Sequence, residues 1–191
     1  SLRSICIGND SRFFNGHTNV LSDEFITFGI KKAMDANEEL QNVMLFNALS
    51  YMADATLTAG NTIAVIDELH AFLTIPIALK YIRNNIKRNR KRESGMIIAS
   101  QNLEDYTIPS IAEYTKPLFA IPSHSFLFNA GNIDSKFYID HLQLEASEYE
   151  LIKQSDTGVC LFRSGSERYH LEVDIPDFKK DLLFAKAANS Q

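Results

Sequence analysis

The stretch Thr62-Ile-Ala-Val-Ile-Asp67-Glu68 decides how the rest of the chain is read. An apolar, β-branched run ends there in two adjacent carboxylates. β-Branched side chains favour a pleated backbone, and a continuous apolar run is the pattern of a parallel strand buried on both faces. Ligands of open α/β sheets bind at the C-terminal ends of such strands. Asp67 and Glu68 are therefore expected at a ligand-facing edge. Acids in that position also cap a following helix, so the run alone leaves chemistry and capping as alternatives.

Outward from this strand the chain alternates. Pro76 fits the next helix only in its first turn or at a kink. Ile75, Leu79, Ile82 and Ile86 then form one apolar stripe, with Lys80, Arg83, Lys87 and Lys91 on another face. Gly95-Met-Ile-Ile-Ala-Ser100-Gln101 reads as a second buried strand with a polar end. Strand, helix and strand at this spacing make a right-handed crossover with parallel strands. Upstream, Phe25-Ile-Thr-Phe-Gly-Ile30 reads as a buried strand. Asp35 and Glu38 form a capping box for a helix closed by Ala59-Gly60-Asn61. That helix is apolar on more than one side and is expected to be mostly enclosed. Downstream, Phe119-Ala-Ile121 and Ser125–Phe128 read as short strands, and 145–154 as a helix. Strands at 158–163 and 167–173 form a hairpin around Ser164-Gly165-Ser166, followed by a helical tail from Asp177 to Asn189.

A length of 191 residues predicts one domain with a real core. No apolar run approaches the roughly eighteen residues of a membrane span, and the start lacks the apolar centre of a signal peptide. Cys6 and Cys160 have no CxxC partner and read as a buried, reduced pair. The five histidines show no metal-binding spacing. Net charge is −5, yet seven of the 19 basic residues fall between Lys80 and Arg92 without one acid. This local cluster says more about partners than the average does.

A hydrophobic strand ending in Asp67-Glu68 has the pattern of a Walker B strand in a P-loop NTPase. Asp67 would then hold the water shell of Mg²⁺, and Glu68 would orient or polarise an attacking water. No G-x-x-x-x-G-K-[ST] accompanies it, so the loop that cradles β- and γ-phosphates is missing. Because the first residue is Ser1, the expectation is a piece of a larger protein whose P-loop lies upstream.

Three blocks fall in a fixed order: Ile63-Ala-Val-Ile-Asp67-Glu68, then Arg90-Lys-Arg92, then the strand ending Ser100-Gln101. Before them stands Phe13-Phe-Asn-Gly16-His-Thr18; after them come Leu144-Glu-Ala-Ser-Glu148, Ile152 and Gly158-Val-Cys-Leu161. In this order residues 12–176 resemble the C-terminal half of the ATPases that power type IV secretion and conjugative DNA transfer, RecA-like hexameric motors related to FtsK and HerA. Asn15 departs from the aspartate usual in that family.

The resemblance implies an α/β, partial RecA-like P-loop NTPase fold with a mainly parallel sheet, flanking helices and a C-terminal hairpin. Residues 1–191 would be the C-terminal part of the ATPase domain. It implies ATP and Mg²⁺ as cofactors of the complete protein, with Asp67 for the metal and Glu68 as the catalytic carboxylate. Gln101 would sense the γ-phosphate or position water; a neutral amide can donate to one and accept from the other. Arg90 or Arg92 would reach a neighbouring subunit's nucleotide as an arginine finger, or simply complement a helix C-terminus. Arg168 is a weaker candidate. Implied partners are the other subunits of a homohexamer and membrane-associated secretion components, at the inner face of the bacterial cytoplasmic membrane. Nucleic acid is a further candidate partner, but the basic cluster carries no aromatic beyond Tyr81 for base stacking. The alternative is a non-catalytic RecA-like module that docks a partner protein or DNA backbone through its basic helix. Either way the chain alone is expected to hydrolyse ATP poorly or not at all.

Overall fold

A computed structural model of the chain describes residues 6–8, 11, 24–29, 38–73, 75–101, 103–131, 133 and 135–184. The Phe13–Thr18 turn and the Asp35 half of the capping box lie outside these. The chain divides into two compact units, Ser1–Asp105 and Tyr106–Gln191.

In the first unit, helix α1 (Glu38–Asp54) runs into a π-helical turn, Ala55–Ala59, and stops at Gly60. Strand β1 (Ile63–Ile66) follows, then a 3-10 turn (Leu69–Phe72), helix α2 (Pro76–Arg88), a second 3-10 turn (Asn89–Arg92) and strand β2 (Gly95–Ile98). The strands pair in parallel, with Ile63 opposite Gly95 and Ile66 opposite Ile98. This is the crossover expected from the spacing. Pro76 occupies the start of α2, where its missing N–H costs no helical bond. Ala78, Leu79, Ile82 and Asn85 are the buried stripe of that helix. A buried hydrogen bond joins α2 to the π turn: Asn85 Nδ2 donates to Thr56 Oγ1 at 2.7 Å. Thr56 Oγ1 in turn donates to the Met52 carbonyl at 2.7 Å.

Several expectations change here. Phe25–Gly29 forms no strand, and Phe25 is 84% exposed. Among the described residues no strand pairs with it, and a short apolar run does not by itself specify pleated backbone. Phe28 instead makes an edge contact with Tyr51 of α1, ring centroids 5.5 Å apart. Helix α1 is not enclosed: Leu45 and Leu49 are buried while Phe46 and Tyr51 are exposed. Strand β1 is buried on one face only, through Ala64 and Ile66, and β2, also expected to be buried, has no buried residue, with Ile97 exposed. The two cysteines are not a buried pair, since Cys6 is exposed in the N-terminal stretch and only Cys160 is buried.

A 3-10 turn (Glu104–Thr107) spans the boundary, and helix α3 (Ala112–Ala120) is the first helix of the second unit. Phe119-Ala120, expected in a strand, forms the last turn of this helix. Pro117 inside it has no N–H to give the Glu113 carbonyl, but the buried Leu118 and the Tyr106–Phe119 contact at 5.3 Å hold the turn. Strand β3 (His124–Leu127), helices α4 (Ser135–Leu142) and α5 (Ala146–Ile152), strands β4 (Val159–Ser164) and β5 (Glu167–Glu172), and helix α6 (Asp177–Phe184) complete it. The strands form an antiparallel sheet in the order β3-β4-β5. The expected hairpin is present. Its two-residue loop, Gly165-Ser166, lies between the paired Ser164 and Glu167, with Gly165 at φ 58°. Helix α4 has no counterpart in the sequence expectations. Helix α5 begins at a local cap, in which Glu148 Oε2 accepts the Glu145 N–H at 2.9 Å.

Candidate functional site

The ladder between β1 and β2 continues past their ends. Ala99 N–H donates to the Ile66 carbonyl at 2.9 Å, and Leu69 N–H donates to the Ala99 carbonyl at 3.0 Å. These bonds pin the chain on both sides of Asp67-Glu68 and hold it beside Ser100-Gln101. Glu68 takes a left-handed conformation, φ 53° and ψ 48°, which turns the chain out of the strand into the 3-10 turn. Its side chain lies at the strand tip.

There Gln101 Nε2 donates to Glu68 Oε1 at 2.5 Å. Two residues 33 positions apart in sequence thus meet at the C-terminal end of the parallel pair. The other carboxylate oxygen, Oε2, lies 3.1 Å from His70 Nδ1. Both atoms are withdrawn from solvent, although the ring is turned off the line of a straight hydrogen bond. Nothing in the spacing of the histidines marked His70. The signal available was its place three residues past Asp67, one turn beyond the strand end.

Asp67 is exposed, and its Oδ1 accepts the backbone N–H of Glu68 at 3.0 Å. An exposed carboxylate at a strand tip suits Mg²⁺, a hard cation that keeps most of its waters and takes one or two protein carboxylates. No group of three or more His, Cys, Asp or Glu side chains able to hold a metal occurs among the described residues. A cation at Asp67 would complete its shell with water and phosphate oxygens.

Arg90 and Arg92 stand elsewhere. They precede β2 whereas Gln101 follows it, so on the order of 13 Å of strand separates them from the carboxylate at ~3.3 Å per residue. Both side chains are exposed. The backbone at Arg92 is fixed, its carbonyl accepting from Asn61 N–H at 2.9 Å. Tyr81 is committed to packing, edge-on to Phe46 at 5.4 Å.

Arg168, in the other unit, is engaged locally. It pairs with Glu148 at 3.3 Å and donates to the carbonyls of Gly165 and Glu167. Neighbouring Arg163 donates to the Leu142 carbonyl at 2.6 Å. Burial, and then the charge of Arg168, lower its guanidinium pKa below the ordinary value, against the pull of Glu148. Both arginines brace the hairpin.

Among solved structures the chain is similar to VirB4 of Thermoanaerobacter pseudethanolicus, with 26% identity and a TM-score of 0.80 over 94% of this chain. The fold is that of VirB4. The resemblance to secretion ATPases read from the ordered motifs is thereby borne out, as is the mixed α/β class. The chain spans 49% of the VirB4 chain it matches, so about half of that protein has no counterpart here. No family model and no curated protein matches. No helix among the described residues is long and apolar enough to cross a membrane.

Proposed function

We propose that this chain is the C-terminal part of a VirB4-type ATPase that drives type IV secretion or conjugative transfer. In this reading Glu68 is the carboxylate that prepares water for attack on ATP, and Gln101 is its sensor of the γ-phosphate. The observation that carries it is the Glu68–Gln101 contact across the tips of two parallel strands, in a fold that matches VirB4. A bound Mg²⁺ would neutralise charge developing on the phosphates, and Asp67 would hold it through its water shell. The Gln101 amide can leave Oε1 for a phosphate oxygen when one arrives, which frees that carboxylate oxygen to accept a proton from water. The phosphate-cradling loop would come from residues outside this chain. Arg90 and Arg92, at the far end of the sheet from Glu68, are suited to a nucleotide on a neighbouring subunit of a homohexamer rather than to their own. That work would take place at the cytoplasmic face of the membrane, beside the secretion components.

The test is steady-state ATPase activity of the full-length protein, unaltered and as Glu68→Gln. Loss of a carboxylate acting on the nucleophile is expected to lower turnover about a hundredfold or more. An inert full-length protein, or a variant as active as the original, sinks the reading. The exposed basic segment from Lys87 to Arg92 would then favour the docking module, which tolerates Glu68→Gln but loses partner binding when that segment is neutralised.

A further inference from the structure

The two oxygens of the Glu68 carboxylate face different side chains, and only Oε1 accepts a hydrogen bond in the present geometry. Gln101 Nε2 reaches Oε1, and His70 Nδ1 lies 3.1 Å from Oε2. The contacts differ in kind. Gln101 is exposed at the strand tip, and its bond is open to competition from solvent or a ligand. The His70 contact is closed: both Nδ1 and Oε2 are withdrawn from solvent. An anchor at this contact needs the ring proton on Nδ1, where it can be donated to Oε2.

The backbone beneath His70 is rigid. Its neighbours Leu69 and Phe72 are buried, with relative exposures of 1% and 6%. The Leu69 N–H is bonded to Ala99 on the neighbouring strand, and the His70 carbonyl accepts the Leu73 N–H at 3.1 Å. A ring mounted on such a turn has little freedom to follow a moving carboxylate. A carboxylate held at one oxygen by a fixed donor can rotate only about that contact.

We propose that His70 is a positioning residue: its Nδ1 anchors Oε2 of Glu68, so that Oε1, the oxygen now covered by Gln101, is the one presented to water when Gln101 turns to a phosphate. This rests on the reading of Glu68 as the carboxylate that prepares water. Without the anchor the carboxylate samples other rotamers, and the fraction aimed at the nucleophile falls. The Nδ1–Oε2 contact is off line, and catalytic hydrogen bonds often straighten once substrate is bound.

The experiment compares His70→Ala, His70→Asn and His70→Gln in the full-length protein, with Glu68→Gln assayed beside them. The asparagine amide nitrogen falls where Nδ1 stands, whereas that of glutamine falls where Nε2 stands. His70→Ala is expected to lower kcat about ten- to a hundredfold, the worth of one hydrogen bond to a charged group, with KM and nucleotide affinity unchanged. His70→Asn should restore most of that loss and His70→Gln should not. Equal recovery by both, an alanine variant within twofold of the original, or a parallel rise in KM would overturn the proposal. If Glu68→Gln abolishes turnover while His70→Ala leaves it intact, only the role of His70 fails. If Glu68→Gln retains turnover, the ATPase reading itself fails. Should the variants not fold, proton–nitrogen correlation spectra of the unaltered chain decide: a proton on Nδ1 of His70 supports the anchor, and a bare Nδ1 removes it.

Discussion

At Glu68 a residue with a full side chain adopts φ 53°, a conformation that costs a non-glycine residue about 1–2 kcal/mol. That strain is maintained by the ladder bonds on either side, and it sets the carboxylate between Gln101 and His70. Strain of this kind recurs at functional sites because the surrounding structure, not the local sequence, imposes it. Cys160 illustrates the opposite case of a residue with no chemistry to do. It is fully buried in β4, and burial raises its thiol above the ordinary value. A raised folded-state pKa means that the folded chain holds the proton longer. Stability is therefore unaffected at neutral pH and falls as pH rises from the unfolded thiol value, about 8.5, through the higher folded one. Thiol labelling at mildly alkaline pH is expected to modify the exposed Cys6 first and Cys160 only together with unfolding. Equal labelling rates in the native chain would contradict this placement.

Among the elements, the junction between the π turn and the second 3-10 turn depends on one small residue. Gly60 stands at φ 78° and ψ −175°, and a Cβ there would come within 2.8 Å of the Arg92 carbonyl oxygen. That carbonyl also receives the Asn61 N–H, so it cannot move aside without breaking a bond. Gly60→Ala is expected to destabilise the chain by at least ~2 kcal/mol, combining backbone strain with the overlap. Gly131→Ala, at φ 58° with nothing within 4 Å of the added carbon, is expected to cost less, about 1 kcal/mol. Urea midpoints of the two variants check the difference, and equal shifts would mean that the close approach at Gly60 is not maintained in solution. The elements legible beforehand were those with strong local signals: the β-branched run of β1, the apolar stripe of α2 entered at Pro76, and the glycine-containing hairpin. Helix α3 was misread because apolar Phe119-Ala-Ile121 carries no period long enough to separate a helix end from a strand.

For the molecule as a whole, the uncovered face of the parallel pair is the main liability. Ile63, Val65 and Ile97 are 68%, 65% and 56% exposed, and they stand together on one side of β1 and β2. A clustered apolar surface of this kind favours association. The 191-residue chain is expected to self-associate as its concentration rises, and Val65→Lys should reduce that association. Light scattering checks both. A chain that stays monomeric at high concentration would show that the face is tolerated in water.

The sequence by itself determined the crossover of two parallel strands, the acid-ended strand tip, the basic segment before β2 and the resemblance to secretion ATPases. These follow from local rules: β-branched runs pleat, apolar spacing fixes a helical face, and proline and glycine punctuate. Tertiary structure alone decided that Glu68 meets both Gln101 and His70, that Arg90 and Arg92 lie at the opposite end of the sheet, and that Phe25–Gly29 forms no strand. Each of these depends on contacts between residues distant in sequence or on the backbone angle at a single turn. Hydrophobic periodicity records which way a side chain faces, but not which residue waits for it there.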